Sequence, residues 1–195
     1  MTRDSTEPVQ LVASAFWRRL DTPGHDACRV FRIADGLQLE GSAVFRHDGG
    51  AACIHYAVTC DADWRSRSGR VRGWIGDRDW DLRIDRAASG AWLLNDVAAT
   101  VPGLERCEDL DFGFTPATNL LQLRRSSLKI GGTAAVPAAW VDLPDAKLSF
   151  LPQRYRRDGE ATYWYESPTA SYEAQLEIAS SGFVRVYPGL WVLET

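Results

Sequence analysis

Two aspartates carry the most chemically suggestive spacing in this chain: Asp109 and Asp111, in the run Glu108-Asp109-Leu110-Asp111-Phe112-Gly113-Phe114-Thr115. In an extended segment alternate side chains share a face. The pair could therefore work as acid and base, or hold a cation. With Thr115, Asn119 and Tyr155 as positioning groups, that reading is a hydrolase-like enzyme acting on a small polar substrate such as a sugar or nucleotide. The same carboxylates could instead accept backbone amides in turns or pair with Arg124 and Arg125. Nothing else resembles a catalytic motif, since the chain has no GxSxG, no HExxH and no Gly-rich loop ending in GK[ST]. His25, His47 and His55 are scattered, and Cys28, Cys53, Cys60 and Cys107 show neither CxxC nor Cys/His spacing. We expect no metal and no cofactor, and read the cysteines as small core thiols.

A second set of residues suggests binding. Eight tryptophans and six tyrosines lie next to arginines, as in Phe16-Trp17-Arg18-Arg19, Trp64-Arg65, Arg72-Gly73-Trp74, Arg78-Asp79-Trp80 and Tyr155-Arg156. Such rings join a broad apolar face to a polar edge, so they line amphipathic pockets and stack on sugars and acyl chains. Of the 22 basic residues only Lys129 and Lys147 are lysines, and arginine makes planar bidentate pairs that lysine cannot. A coding bias from a GC-rich genome is the simpler cause of that skew.

The elements that would position these groups are mostly strands. Leu37, Leu39, Ala43 and Phe45 alternate with Gln38, Glu40, Ser42 and Arg46, the period of a half-buried strand. Ile54, Tyr56, Val58 and Cys60 repeat it, as do Trp80, Leu82 and Ile84, and later Tyr172, Ala174, Leu176 and Ile178. Turn clusters such as His47-Asp48-Gly49-Gly50 and Ser180-Ser181-Gly182 separate the runs. We expect roughly eleven to fourteen strands, antiparallel to their neighbours. Thr115-Pro116 opens a helix of about ten residues. Ala117, Leu120 and Leu121 fall on one face of it, and Arg124 and Arg125 lie at its C-terminal end. A helix that short needs a surface to pack on, so it should lie against or into a curved sheet.

The length of 195 residues, with 45% hydrophobic and 25% charged residues, suits one globular domain spanning residues 1–195. A net charge of -4 supplies no field for nucleic acid. The polar start Met1 to Gln10 lacks a signal-peptide pattern, and no apolar run is long enough to span a bilayer. These features predict a cytoplasmic protein without membrane insertion; they do not fix its oligomeric state.

Several segments, taken in order, carry a resemblance. They are Trp74-Ile-Gly-Asp-Arg78-Asp-Trp80; Asp109-Leu-Asp111-Phe-Gly-Phe-Thr115-Pro-Ala-Thr-Asn119-Leu-Leu-Gln-Leu-Arg124-Arg125; Ala139-Trp140-Val141 with Leu143-Pro144; Gln153-Arg-Tyr155; Tyr163-Trp-Tyr165; and Gly182-Phe-Val184 to Tyr187-Pro188-Gly189. Together they resemble the bacterial "putative glycolipid-binding" family, formerly a domain of unknown function. The resemblance implies a mainly β fold: a many-stranded, incompletely closed antiparallel barrel with one or two short helices, similar to the half-barrels of lipoprotein carriers. It also implies non-catalytic binding of a lipid or glycolipid in an apolar cavity of the curved sheet. The residues expected at that ligand are Trp74, Arg78, Trp80, Asp109, Asp111, Thr115, Asn119, Arg124, Arg125, Tyr155, Tyr163 and Tyr165. The alternatives are the Asp109/Asp111 enzyme and a protein-interaction scaffold whose aromatic residues are all core.

Overall fold

The computed structural model of the protein describes residues 10–143 and 145–194. The polar start and the Pro144 of the Leu143-Pro144 motif therefore lie outside the described residues. The alternating segments form the long strands β1 (Leu11–Arg19), β2 (Gly24–Ile33), β3 (Gly36–His47), β4 (Gly50–Cys60), β5 (Ser66–Ile75) and β6 (Arg78–Arg86), followed by short β7 (Trp92–Leu94) and β8 (Val97–Ala98). After β9 (Asp109–Phe112), the helix α1 (Asn119–Ser126) and β10 (Thr133–Ala135) come β11 (Ala138–Asp142), β12 (Lys147–Leu151), β13 (Arg154–Arg157) and β14 (Thr162–Ser167). The chain ends in β15 (Tyr172–Ile178), β16 (Val184–Tyr187) and β17 (Trp191–Leu193).

Fourteen of these strands make one sheet in the order β10-β13-β14-β15-β16-β17-β1-β2-β3-β4-β5-β6-β7-β8, while β12-β11-β9 form a small second sheet. Each pair in the large sheet is antiparallel, and its edges β10 and β8 remain apart, giving an incompletely closed barrel. The strand count exceeds the expected range because β7, β8 and β10 are only two or three residues long, too short to show a period. The small sheet also departs from expectation, since β9 runs parallel to β11 (Asp109 opposite Ala138, Phe112 opposite Val141). Parallel neighbours need a long crossover, and here α1 and β10 provide it.

The buried faces are those that the alternation predicts: Leu37, Leu39, Ala43 and Phe45 on β3, and Ile54, Tyr56, Val58 and Cys60 on β4. The small sheet and α1 fill the space against these faces. The Tyr56 ring meets Phe112 and Phe114 nearly edge-on, with centroids at 6.0 and 5.8 Å. Leu110 lies over Gly69, where an added Cβ would stand 2.2 Å from a Leu110 methyl. On the other side, Trp17 donates its indole N–H to the Val184 carbonyl at 2.7 Å and abuts Phe183. The inner side of the curve is thus occupied by the protein's own side chains.

The helix starts at Asn119, three residues after Pro116. Thr115 accounts for the delay: its hydroxyl accepts the Ala117 amide at 3.0 Å and donates to Asp26 across the core, which holds residues 115–118 as a turn. Residues 119–123 are all buried, and the helix ends on Ser127 in the left-handed region, whose N–H returns to the Leu123 carbonyl at 3.1 Å. Among the described residues no helix is long and apolar enough to cross a membrane.

Candidate functional site

The conspicuous carboxylates belong to the interior. Asp109 is 0% exposed and lies 3.0 Å from Nε of Arg125, whose other nitrogens reach Asp109 again and Glu108. Burial lifts the Asp109 carboxyl above its ordinary range, and Arg125 holds it back. Asp111, two residues on, has no cationic partner among the described residues. It accepts from the Thr118 hydroxyl and from Gln153 Nε2 at 2.8 Å, and burial raises its carboxyl too. Tyr155 continues the network: its hydroxyl receives Asn119 Nδ2 at 2.8 Å and donates to Gln122 Oε1 at 2.6 Å. These bonds tie β9, α1 and β13 together, so the segment most suggestive of chemistry serves as the fastening of the inner layer.

A third buried acid, Asp26 on β2, did not stand out in the sequence. It is 0% exposed, accepts from Tyr56 Oη at 2.8 Å and from Thr115, and has its carboxyl pushed up to about 7 by burial, opposed by those two hydrogen bonds. None of Asp26, Asp109 and Asp111 lines any of the surface grooves described below. Among the described residues there is no cluster of three or more His, Cys, Asp or Glu able to hold a metal.

The residues expected at a ligand therefore separate into groups. Asp109, Asp111, Thr115, Asn119, Tyr155 and Tyr165 lie in the packed interior with Arg125 at its margin, and Tyr155 and Tyr165 touch with ring centroids 5.0 Å apart. Asp109 pairs with Arg125 and Asn119 with Tyr155, while Asp111 is satisfied by Thr118 and Gln153 and Thr115 by Asp26. Trp80 is core, capped by the Arg78 guanidinium 3.9 Å from its ring. Arg124 points away from Asp109, because adjacent residues on a helix point about 100° apart; it lines an end cleft that Tyr163 also borders. Trp74 is 42% exposed on the outer face of the sheet.

That outer face carries the arrangement best suited to a ligand. Cross-strand register sets up a row Ala27-Ser42-His55-Arg72 and, one pleat along, a row Arg29-Glu40-Ala57-Arg70. Ala27 and Ala57 are short, one in each row. A twisted sheet bows in opposite senses along and across its strands, and the missing bulk deepens the bow into a groove of about 630 Å³. Its rim is polar: Ser42 and His55 Nδ1 share a hydrogen bond of 2.7 Å, Arg29 pairs with Glu40 at 2.8 Å, and Arg70 and Arg72 both meet Asp81. The next row is His25-Val44-Cys53-Trp74, with Phe16 stacked on His25 at 5.2 Å. Phe16, Val44 and Trp74 are 45%, 47% and 42% exposed. Val44 and Trp74 also line a second groove of about 770 Å³ on the same face. A hydrogen-bonding groove thus adjoins an apolar strip, and solvent reaches both.

Comparison with known proteins bears on what such a face could hold. A family model described as "Putative glycolipid-binding" matches residues 14–192. The chain is similar to a DUF1089 family protein from Pseudomonas aeruginosa whose crystal structure matches with a TM-score of 0.73 at 27% identity, covering 85% of this chain and 89% of that one. No curated protein matches it.

Proposed function

The chain belongs to the family described as "Putative glycolipid-binding", and from that premise we propose that it binds an amphipathic lipid or glycolipid, without catalysis, on the outer face of its large sheet. One observation carries the reading: the polar groove of Ser42, His55, Arg29, Glu40, Arg70 and Arg72 shares a border with the exposed strip of Phe16, Val44 and Trp74. Exposed apolar surface rimmed by polar groups is the usual mark of an interaction site. A sugar or other polar head would hydrogen-bond in the groove, with its ring over the Ala27-Gly41-Ala57 floor. The acyl chain would follow Val44 and Trp74. We place this binding in the cytoplasm, where the four free thiols of Cys28, Cys53, Cys60 and Cys107 would stay reduced. Nothing in the groove supplies a carboxylate acid/base pair, which supports binding over hydrolysis.

The test is a titration with a short-chain alkyl glycoside below its micelle concentration, read by calorimetry and by melting temperature, with mass spectrometry of the ligand afterwards. Saturable binding should raise the melting temperature, by the equivalent of about 2.7 kcal/mol at a hundredfold excess over Kd. Ala57→Trp, which fills the floor, should weaken binding at least about tenfold while the protein stays folded, and the glycoside should be recovered intact. Absence of saturable binding, or binding indifferent to Ala57→Trp, would remove the proposal.

A further inference from the structure

We propose a second site, for a sugar ring bearing a phosphate-type oxyanion, in the cleft where the C-terminal end of α1 meets the β4–β5, β13–β14 and β15–β16 turns. The cleft measures about 580 Å³ and shares no lining residue with the outer-face groove. Two guanidinium groups line it. Arg124 donates from Nη2 to the Ser181 carbonyl at 2.8 Å, and its Cζ lies 5.8 Å from the centre of the Trp64 ring. Arg157 is fastened by the carbonyls of Gly159, Leu128 and Glu160 at 3.1, 2.9 and 2.9 Å, and its Cζ lies 5.5 Å from the Tyr163 ring.

The lining of this cleft holds two arginines and one carboxylate, that of Glu160. Many surface arginines are neutralised in place, as Arg29 is by Glu40, Arg70 by Asp81 and Arg185 by Glu177, whereas Arg32 and Arg67, for which the described residues likewise supply no ion pair, share their recess with Asp35, Asp61 and Asp63. Among the described residues neither Arg124 nor Arg157 has an acidic ion-pair partner; their partners are neutral carbonyls. Glu160 lies on the rim and offers Arg157 its carbonyl, and its carboxylate pairs with neither arginine. Two cations forced into one recess repel each other, and an oxyanion between them relieves that repulsion while accepting the unused N–H groups.

The aromatic residues add the ring specificity. Trp64 is held in place by its turn, where Asp61 Oδ1 accepts the amides of Asp63 and Arg65 at 2.9 Å each. A half-buried indole beside an oxyanion site offers the flat apolar face on which a sugar stacks. The seat is also shaped for Arg124: a Cβ on Gly182 would stand 2.8 Å from its Nη2. Preorganised groups of this kind bind without first losing side-chain entropy.

The experiment titrates the full chain calorimetrically with glucose 6-phosphate, inorganic phosphate and glucose. The sugar phosphate should saturate at least about tenfold more tightly than inorganic phosphate, and glucose should not saturate over the same range. Arg124→Gln, at an exposed position, should weaken sugar-phosphate binding about tenfold or more, the loss expected from one charge-assisted contact, and Arg124→Lys should recover only part of it. Trp64→Ala should bring the sugar phosphate down to the level of inorganic phosphate. The proposal is overturned if neither phosphate saturates, if the two bind equally to the unaltered chain, or if folded Arg124→Gln binds as before. Failure here leaves the alkyl-glycoside reading of the outer groove standing, because the two sites have no residue in common.

Discussion

Replacing Arg125 by alanine would leave the Asp109 carboxylate, which no solvent reaches, without its counter-charge. Breaking a buried ion pair from one side typically costs about 3 to 5 kcal/mol, because the remaining charge stays desolvated. Arg125 keeps 17% of its side chain exposed, so water can enter the vacated space, and the lower end of about 3 kcal/mol applies. Glu108 adds little, being 35% exposed and also held by Arg65 at 2.7 Å. An unfolding entropy of about 2.1 cal/mol/K per residue gives roughly 0.4 kcal/mol/K for a chain of 195 residues. The melting temperature should therefore fall by about 7 °C near neutral pH.

The same variant predicts a pH signature. Without Arg125, Asp109 in the folded chain titrates well above its unfolded value of about 3.9, so the folded state keeps a proton that the unfolded state has released. Stability is then full below that unfolded value and falls as pH rises, which makes the gap to the parent chain widest at pH 7 to 8 and narrower near pH 5. Calorimetric melting at both pH values measures it. Adding Asp109→Asn to Arg125→Ala should recover most of the loss, since no buried charge is then left. A fall of less than about 2 °C at neutral pH, or a gap that does not close on acidification, would show that the pair is not the fastening described.

Two further perturbations probe the same interior. Asp26 has its carboxyl raised to about 7 against 3.8 unfolded, so its share of stability is present below about 4 and declines by up to about 1.4 kcal/mol per pH unit until pH 7. Asp26→Asn should flatten the urea-midpoint profile across that window and leave the variant more stable than the parent at pH 8; parallel profiles would refute this. Tyr155→Phe removes the hydroxyl that serves Asn119 and Gln122, leaving dry amides at a loss of about 2 kcal/mol, or roughly 5 °C in melting temperature. A midpoint within 1 °C or so of the parent would mean that water or a rotated amide replaces it.

Much of the architecture was legible in the residues, because alternation along a strand is a local property. Leu37 to Phe45, Ile54 to Cys60 and Trp80 to Ile84 declare their buried face by period alone, and Thr115-Pro116 announces a helix nearby. The parallel pairing of β9 with β11 left no such mark, since it depends on where the crossover through α1 returns the chain. Short strands such as β8 and β10 hold together through neighbours and have no pattern of their own.

The site was less legible, for a related reason. The motif from Asp109 to Arg125 marks a family and a place in the chain, but whether its carboxylates face a ligand or one another depends on what packs over them. Here Thr118, Gln153 and Arg125 satisfy them internally. The outer groove is assembled crosswise, from Ala27, Ser42, His55 and Arg72 on four different strands, and residues that far apart in sequence carry no mutual spacing to read. The sequence by itself determined the β architecture, the short helix and the amphipathic stock of side chains. Tertiary structure alone decided which of those side chains meet, because register across strands and the filling of the inner face are set by long-range packing.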